Sequence, residues 1–210
     1  MKKLLMVLVI AVFGVVLTGN AMAIPAYGDL AVDFRTWAGA NNQTTWTVGN
    51  VTAASTPSST TLYQDNVDGL GVQPGEQGDE IDGAENLNVT FSGGMWLTGV
   101  WITDLFKNPD GGGIYGEYGR VVLYNGAETL ATFYFFGKDS DQVNGEQYIN
   151  FGGAKTVDAI AFYTASYEGV DPKNNEFSVA GFTAVPEPTT ILLLGLGLVG
   201  LAGFRRRIQK

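Results

Sequence analysis

A concentration of carboxylates in the first half of the chain is the feature best suited to chemistry, because seven acidic residues fall between positions 65 and 85. Hard oxygen ligands on a flexible loop are what Ca²⁺ requires. The densest part of this block, Asp79, Glu80, Asp82 and Glu85, is the candidate for a structural Ca²⁺ site. The spacing is not that of an EF-hand, so we expect solvated, turn-forming loops in an acidic protein, and structural Ca²⁺ is the alternative. We expect no other cofactor.

Aromatic side chains offer a second kind of chemistry, the stacking of sugar rings. The candidates are Trp37, Trp46, Trp96, Trp101, Tyr115, Tyr118, Tyr134 and Tyr148. A β-sandwich of this size needs large residues in its core, so we expect most of them to be buried. Trp96 and Trp101 fall on opposite faces of a regular strand, which predicts that one of them points outward. Both are therefore candidates for glycan contact. A bulge at Gly99 would reset that alternation.

The absence of His and Cys excludes several classes of enzyme. Ser-His-Asp and Cys-His catalysis lack their base, and zinc and copper sites lose their usual ligands. Two carboxylates at a suitable separation can hydrolyse glycosides, but no particular pair is indicated among so many acids. We therefore expect a non-enzymatic protein, and a hydrolase acting on polysaccharide is the less favoured alternative.

The first 23 residues have the layout of a secretory signal peptide. A cationic start at residues 1–3 precedes an apolar run at 4–17, and Ala21 and Ala23 form a small-x-small cleavage site. This order predicts export and cleavage after Ala23.

The last 26 residues carry three signals in fixed order. They are the Pro-flanked carboxylate of Val185, Pro186, Glu187 and Pro188, an apolar run at 191–204, and the basic stop of Arg205, Arg206 and Arg207. This order resembles the PEP-CTERM sorting tail of Gram-negative bacteria, which a membrane protease, an exosortase, is thought to recognise and process. Fourteen helical residues reach roughly 21 Å against roughly 30 Å of hydrocarbon, and flanking threonines and snorkelling arginines extend that reach.

The resemblance implies a location and partners. The arginines should stay cytoplasmic, which leaves residues 24–184 outside the inner membrane. The implied partners are an exosortase and the inner membrane during sorting, followed by the cell surface or extracellular matrix. Such proteins occur with exopolysaccharide production, so a structural role in matrix or biofilm is the leading functional hypothesis. A carbohydrate-binding module is the alternative.

The composition of the middle segment, residues 24–184, fits one extracytoplasmic domain long enough for a core. Six basic residues face twenty acidic ones, a formal net charge of −14. Such a surface repels nucleic-acid phosphates, so we expect no nucleic-acid partner.

Short β-branched and aromatic runs separated by Gly, Asn, Asp and Pro predict an all-β fold of nine or ten strands. The predicted strands lie at 30–35, 46–53, 60–63, 87–91, 96–106, 120–124, 129–136, 147–151, 159–164 and 176–183. Their spacing favours a two-sheet antiparallel β-sandwich of jelly-roll type, to which the sorting helix is appended. The block from Asp68 to Phe91 also resembles PEP-CTERM surface proteins, in which a Gly-Leu-Gly-Val turn leads into an acidic loop and then a core strand.

Overall fold

The computed structural model describes residues 26–27, 29–74, 79–106, 116–137, 145–165, 175–185 and 194–197. The predicted signal peptide, with Ala21 and Ala23, lies outside the described residues. Most of the sorting tail does as well, including Pro186, Glu187, Pro188 and the three arginines. Val185 is described, and its N–H donates to the Trp96 carbonyl over 3.0 Å.

The all-β prediction is confirmed: the described residues form eleven strands and two short 3₁₀ helices. The strands are β1 (Val32–Asp33), β2 (Thr45–Val48), β3 (Val51–Thr56), β4 (Thr61–Asp65), β5 (Gly69–Gln73), β6 (Ile81–Asp82), β7 (Asn86–Thr103), β8 (Tyr118–Asn125), β9 (Glu128–Phe136), β10 (Gln147–Thr164) and β11 (Glu176–Ala184). The 3₁₀ helices are Phe34–Thr36 and Ala38–Ala40.

All eleven strands belong to one antiparallel sheet, whose main order is β4-β5-β11-β7-β10-β8-β9. Off this path, β1 and β6 pair with β11, while β3 pairs with β7 and also with β2. The sequence predicted two sheets, whereas hydrogen bonding is continuous across the whole assembly. The jelly-roll connectivity stays a prediction.

Two long strands make the sheet continuous. β7 and β10 are 18 residues each, and each joins two runs that the sequence predicted as separate strands. The first part of β7 pairs with β3 and its last part with β11. The pairing of β7 with β10 shifts register between these parts, where Gly93 and Gly94 have φ of 90° and 75°. Residues with side chains rarely adopt such angles, so glycine lets the strands change direction there.

The core lies where the sheet folds back on itself. Phe182 of β11 contacts the rings of Phe91 in β7 and Phe162 in β10, with centroids 5.6 and 6.0 Å apart. Phe177 of β11 meets Phe135 of β9 edge to face at 5.0 Å. Because β11 is not hydrogen bonded to β9 or β10, these contacts cross from one half of the sheet to the other. Burial of these rings supplies the main stabilising force.

The segment interpreted as a Gly-Leu-Gly-Val turn is strand β5, so the turn interpretation is wrong. Leu70 and Val72 are fully buried. Gly71 lies against the chain that enters β6, and a Cβ added there would come within 1.8 Å of the Asp79 carbonyl oxygen. Glycine is therefore needed because two backbones pack closely here. Its presence does not indicate a turn at this position.

Candidate functional site

Six neighbouring strand segments turn one set of side chains away from the core cluster, and we name this side of the sheet the open face. Near its middle, Ala161 and Val122 are buried, at 3% and 7% exposure. Its strands run β2-β3-β7-β10-β8-β9, using the first part of β7 and the last part of β10. The register aligns its side chains in rows. They are Thr47, Thr52, Thr90, Ala159 and Tyr124; Thr45, Ala54, Asn88, Ala161, Val122 and Thr132; Thr56, Asn86, Tyr163, Arg120 and Tyr134; and Tyr118 beside Phe136. Six strands span roughly 24 Å.

The β8-β9-β10 side of the open face is aromatic. Tyr134 and Phe136 of the edge strand β9 are 57% and 55% exposed. The rings of Tyr118 and Tyr134 lie nearly parallel, 10° apart in plane with centroids 5.9 Å apart. The Arg120 guanidinium lies over the Tyr163 ring at 4.8 Å. The rings are thus held by neighbouring side chains rather than projecting singly.

The β2-β3-β7 side of the open face is polar. The hydroxyls of Thr47 and Thr52 are 2.8 Å apart across the β2-β3 pair. The Asn88 side-chain amide donates to the Thr56 hydroxyl over 2.9 Å. These groups leave further hydrogen-bonding capacity toward solvent, since each hydroxyl can both donate and accept.

Charge is nearly absent from this surface. Among the described side chains that form the open face, Arg120 is the only charged one. A domain with a net charge of −14 therefore keeps its carboxylates off a face six strands wide. The combination of hydroxyls, amides and aromatic rings is suited to an uncharged ligand with alternating polar and apolar surface.

Sequence reasoning included Tyr118 and Tyr134 among the sugar-stacking candidates but missed Phe136, Tyr163 and Arg120. The signal was present in the four consecutive rings from Phe133 to Phe136. A strand has a period of two, so four rings in a row must place two of them outward. Phe135 is buried, and Tyr134 and Phe136 are the outward pair.

A second unusual region, which we name the acidic end, gathers carboxylates from five elements. Its members are Asp68 before β5, Glu80 before β6, Asp104 after β7, Glu117 before β8 and Glu176 at the start of β11. Two of these carboxyls are each influenced by three of the others: Glu80 by Asp104, Glu176 and Asp68, and Glu117 by Glu80, Glu176 and Asp104.

The electrostatics of the acidic end are set first by burial. Loss of water raises the pKa of Glu80 and of Glu117 to about 9, and repulsion from nearby carboxylates adds to the shift. The same causes raise the pKa of Asp104 to about 7 and that of Asp68 to about 6. An ionised carboxylate is therefore costly here unless a positive charge compensates it.

Several carboxylate oxygens of this region lack hydrogen bonds within the described part of the chain. Glu117 is only 2% exposed. Its Oε2 accepts from the Phe106 N–H, whereas its Oε1 has no partner. Glu80 Oε2 and Asp68 Oδ1 are also buried without one. Buried polar atoms normally have partners, so three orphaned oxygens in one region need an explanation.

The described residues include three basic side chains, those of Arg35, Arg120 and Lys155. None of them supplies a compensating positive charge to the carboxylates of the acidic end. Arg35 is paired with the Asp33 carboxylate at 2.8 Å, and Arg120 lies over Tyr163 on the open face. None of these is among the charged groups with the largest influence on Glu80 or Glu117.

The four predicted Ca²⁺ ligands fall into two groups. Glu80 belongs to the acidic end and Asp79 directly precedes it, and burial raises the pKa of both. Asp82 and Glu85 are 5% and 6% exposed. The pKa of Glu85 is raised to about 7, mainly by burial and secondly by the charge of the nearby Asp82. The expectation of a solvated loop is therefore wrong for this second pair. Among the described residues, no three acidic side chains are arranged as a preformed metal centre, so Ca²⁺ at these four residues stays a prediction.

The two predicted glycan contacts, Trp96 and Trp101, are both half-buried. Trp101 packs between Tyr27 and Tyr148, with ring centroids 5.3 Å from each. The pairing of β7 shifts register with both neighbouring strands next to Gly99, so the strand is irregular between the two tryptophans, as the bulge alternative required. Both lie outside the aligned rows of the open face, and glycan contact by either remains a prediction.

Comparison with known proteins identifies the tail. A family model described as the PEP-CTERM protein-sorting motif matches residues 184–207. Neither the curated proteins nor the solved structures give a match. The chain thus carries a PEP-CTERM sorting motif, as the resemblance indicated. The motif implies export and sorting by an exosortase to the cell surface or extracellular space. Within the described residues, no helix has the length and apolar character needed to cross a bilayer.

Proposed function

We propose that this chain is a non-catalytic matrix protein of the cell surface that holds extracellular polysaccharide on its open face. The observation that carries the proposal is a broad, nearly uncharged surface of exposed rings and hydroxyls on a strongly acidic domain. Of the two non-enzymatic roles that the sequence predicted, this surface favours specific binding over passive structure.

The chemistry of sugars matches both sides of the open face. A pyranose ring has apolar C–H faces, which stack on aromatic rings such as Tyr134 and Phe136, and a polar rim of hydroxyls. The Thr and Asn side chains of β2, β3 and β7 can hydrogen-bond that rim. A surface roughly 24 Å wide suits an extended polymer rather than a single sugar enclosed in a pocket.

The net charge of the domain further restricts the class of polysaccharide that we expect to bind. A net charge of −14 repels anionic polymers at long range. We therefore expect neutral polysaccharides to bind more tightly than uronic-acid or sulfated ones of similar length.

The test compares ring variants in the full chain. Affinity electrophoresis against a panel of neutral and anionic polysaccharides measures binding for the wild type and for the double variant Tyr134→Ala, Phe136→Ala. We expect this variant to lose about tenfold in affinity or more, since each ring contributes roughly 0.5–1.5 kcal/mol. Tyr134→Phe keeps the ring and should retain binding.

Tyr63 provides the matched control, because it is a half-buried tyrosine of β4, outside the open face. Tyr63→Ala should leave the affinity unchanged. Equal binding by the double variant and the wild type would contradict the proposal, as would failure of the wild type to bind any neutral polymer. Release of new reducing ends from a bound polysaccharide would contradict the non-catalytic role.

A further inference from the structure

We propose that the edge strand β9 pairs with β9 of a second copy of this chain, which gives a two-fold dimer whose two sheets are joined into one. The pairing is a property of the strand edge and does not depend on polysaccharide binding. Only its consequence for the open face rests on the proposed function.

Three strands of more than two residues lie at an edge of the sheet among the described residues, namely β2, β4 and β9. The edge of β4 is covered, because the Leu62 carbonyl accepts from the Asn42 N–H and the Leu62 N–H donates to the Gln43 carbonyl. The Gln64 N–H donates to the Asn41 side chain. β2 has only four residues. β9 has nine and, in the part of the chain that the structure describes, pairs with β8 alone.

The backbone groups of β9 that point away from the sheet are those of Thr132, Tyr134 and Phe136. The Gly137 N–H donates to the Glu117 carbonyl over 2.8 Å, which makes these two residues a hydrogen-bonded pair of the β8-β9 ladder. Such pairs alternate with non-hydrogen-bonded ones, so the even-numbered residues direct their N–H and C=O groups away from β8. A row of unpaired backbone groups is a template for another strand.

β9 lacks the features that usually prevent an edge strand from pairing. Its nine residues include no Pro, Lys or Arg, and Glu128 at its first position is its only charge. The register shift beside Tyr124 lies at the same end and leaves the rest of the strand regular. Leu130, Tyr134 and Phe136 are 37%, 57% and 55% exposed. Proteins usually protect long edges with charge, Pro or bulges, so an apolar edge of this length indicates a strand partner.

The side chains of β9 are suited to pairing with a second β9. A two-fold axis beside Phe133 places Thr132 opposite Tyr134 of the second copy, and Leu130 opposite Phe136. An aliphatic or β-branched side chain then meets an aromatic ring at each of these positions, which is a favourable kind of cross-strand pair. The strand is therefore complementary to itself.

Charge permits this contact because the only carboxylate of the strand lies far from the axis. The two Glu128 residues would be roughly 34 Å apart, well beyond the Debye length of about 8 Å at physiological salt. The net charge of −14 on each domain opposes association at long range, so pairing should strengthen as salt rises. One strand pair is smaller than the roughly 800 Å² per partner of a standard interface, so we expect a Kd in the micromolar range.

Pairing of this kind would extend the open face. Residues opposite each other in an antiparallel pair have their side chains on the same side of the sheet, so the aromatic sides of the two open faces become neighbours. Twelve strands span roughly 50 Å. A neutral polymer that contacts both copies would bind more tightly than one held by a single copy.

Spin labels on the full chain, kept in detergent because of its apolar ends, test the pairing. The chain has no native Cys, so Glu128→Cys or Thr47→Cys carries a single label. Double electron-electron resonance should give a distance between copies of roughly 34 Å from position 128, and of roughly 50 Å from position 47 on the opposite edge of the open face. The coupled fraction should rise with protein concentration and with salt. No polysaccharide is present, so the result does not depend on what the open face binds.

Variants combined with the label at position 128 assign the contact. Thr132→Pro removes an outward N–H that β8 does not use, so the chain should still fold and the distance of roughly 34 Å should be lost. Thr132→Glu decides the question if that variant does not fold. It places two carboxylates roughly 8 Å apart across the strand pair and should lower the coupled fraction severalfold.

Thr47→Pro is the matched control, because Thr47 is an exposed threonine of the other open edge strand, β2. Its N–H also points outward, since the Ser55 N–H donates to the Thr44 carbonyl and the bonded pairs alternate from there. This variant should keep the distance between the labels at position 128.

Three results would overturn the proposal. The first is the absence of coupling between labels at position 128 at protein concentrations well above the expected Kd. The second is a coupling that survives in both Thr132→Pro and Thr132→Glu, because association would then run through the apolar ends of the chain. The third is loss of coupling in Thr47→Pro, which would indicate head-to-tail pairing of β2 with β9.

Discussion

The open face and the acidic end depart from ordinary burial in opposite directions. On the open face, rings that usually fill a core are more than half exposed. At the acidic end, carboxylates that usually meet water are buried without a basic partner among the described residues. Each departure costs free energy in the isolated domain.

Adjacent residues can serve the two regions because strands alternate. Glu117 turns inward to the acidic end, while Tyr118 lies on the open face and stacks with Tyr134. A strand with a period of two separates the side chains of neighbouring residues onto opposite surfaces. The two regions can therefore be altered independently, by variants one residue apart.

The largest expected effect comes from adding a side chain at Gly71, where two backbones pack closely near the acidic end. Gly71→Ala places a Cβ 1.8 Å from the Asp79 carbonyl oxygen. Backbone must move to relieve this, so we expect a loss of about 3 kcal/mol or more in the free energy of unfolding, measured with denaturant.

Gly83 gives the comparison for that variant. It has φ of 49° with open space around it, so Gly83→Ala should cost only about 1–2 kcal/mol from backbone strain. Equal losses for the two variants would mean that close packing at Gly71 is unimportant.

The second effect is a fall in stability with rising pH when divalent cations are removed. An acid whose pKa rises on folding takes up a proton as the chain folds, so its contribution is complete below the unfolded pKa and lost as pH approaches the folded pKa. For Glu80 and Glu117 that window runs from 4.5 to about 9. We expect Tm to fall on the order of 5 °C across it.

The other acidic residues whose charges raise the pKa of Glu80 or Glu117 are Asp68, Asp79, Asp104 and Glu176. Glu117→Gln should flatten the profile. A Tm that rises with pH over the same range would show that the buried carboxyls are compensated by positive charge. The open-face variant Tyr134→Ala should leave the slope unchanged.

A smaller effect is expected from the polar side of the open face. Thr52→Val keeps the β-branched shape but removes the hydrogen bond to Thr47. The cost should be about 0.5 kcal/mol in stability, typical of an exposed cross-strand pair. A double-mutant cycle with Thr47→Val isolates the interaction, and a coupling energy of zero would show that the pair contributes nothing.

Salt should have the smallest effect of all. Raising ionic strength from about 0.01 M to about 1 M shortens the Debye length from about 30 Å to about 3 Å. Affinity for a neutral polysaccharide should change less than about twofold, because Arg120 is the only charged side chain of the open face. Strong salt dependence of polysaccharide binding would indicate an ionic contact instead.

Strand content and much of the register follow from local pattern. The hairpin of β8 and β9 is predictable from Asn125-Gly126, and Gly126 has a positive φ of 58° in its turn. Strand β5 was not predicted from the sequence, because two glycines within five residues are typical of a turn. Gly71 approaches the Asp79–Glu80 backbone and Gly69 approaches the Val179–Ala180 backbone. The role of Gly69 therefore depends on a segment that is close only in space.

The sequence by itself determined the all-β class, the acidic charge and the sorting motif at 184–207, because composition, period-two alternation and a contiguous motif are local properties. Tertiary structure decided which rings share the open face and which carboxylates share the acidic end. Those groupings join residues up to about a hundred positions apart through strand pairing. The pKa of a carboxyl and the exposure of a ring depend on such distant neighbours, and no local pattern contains them.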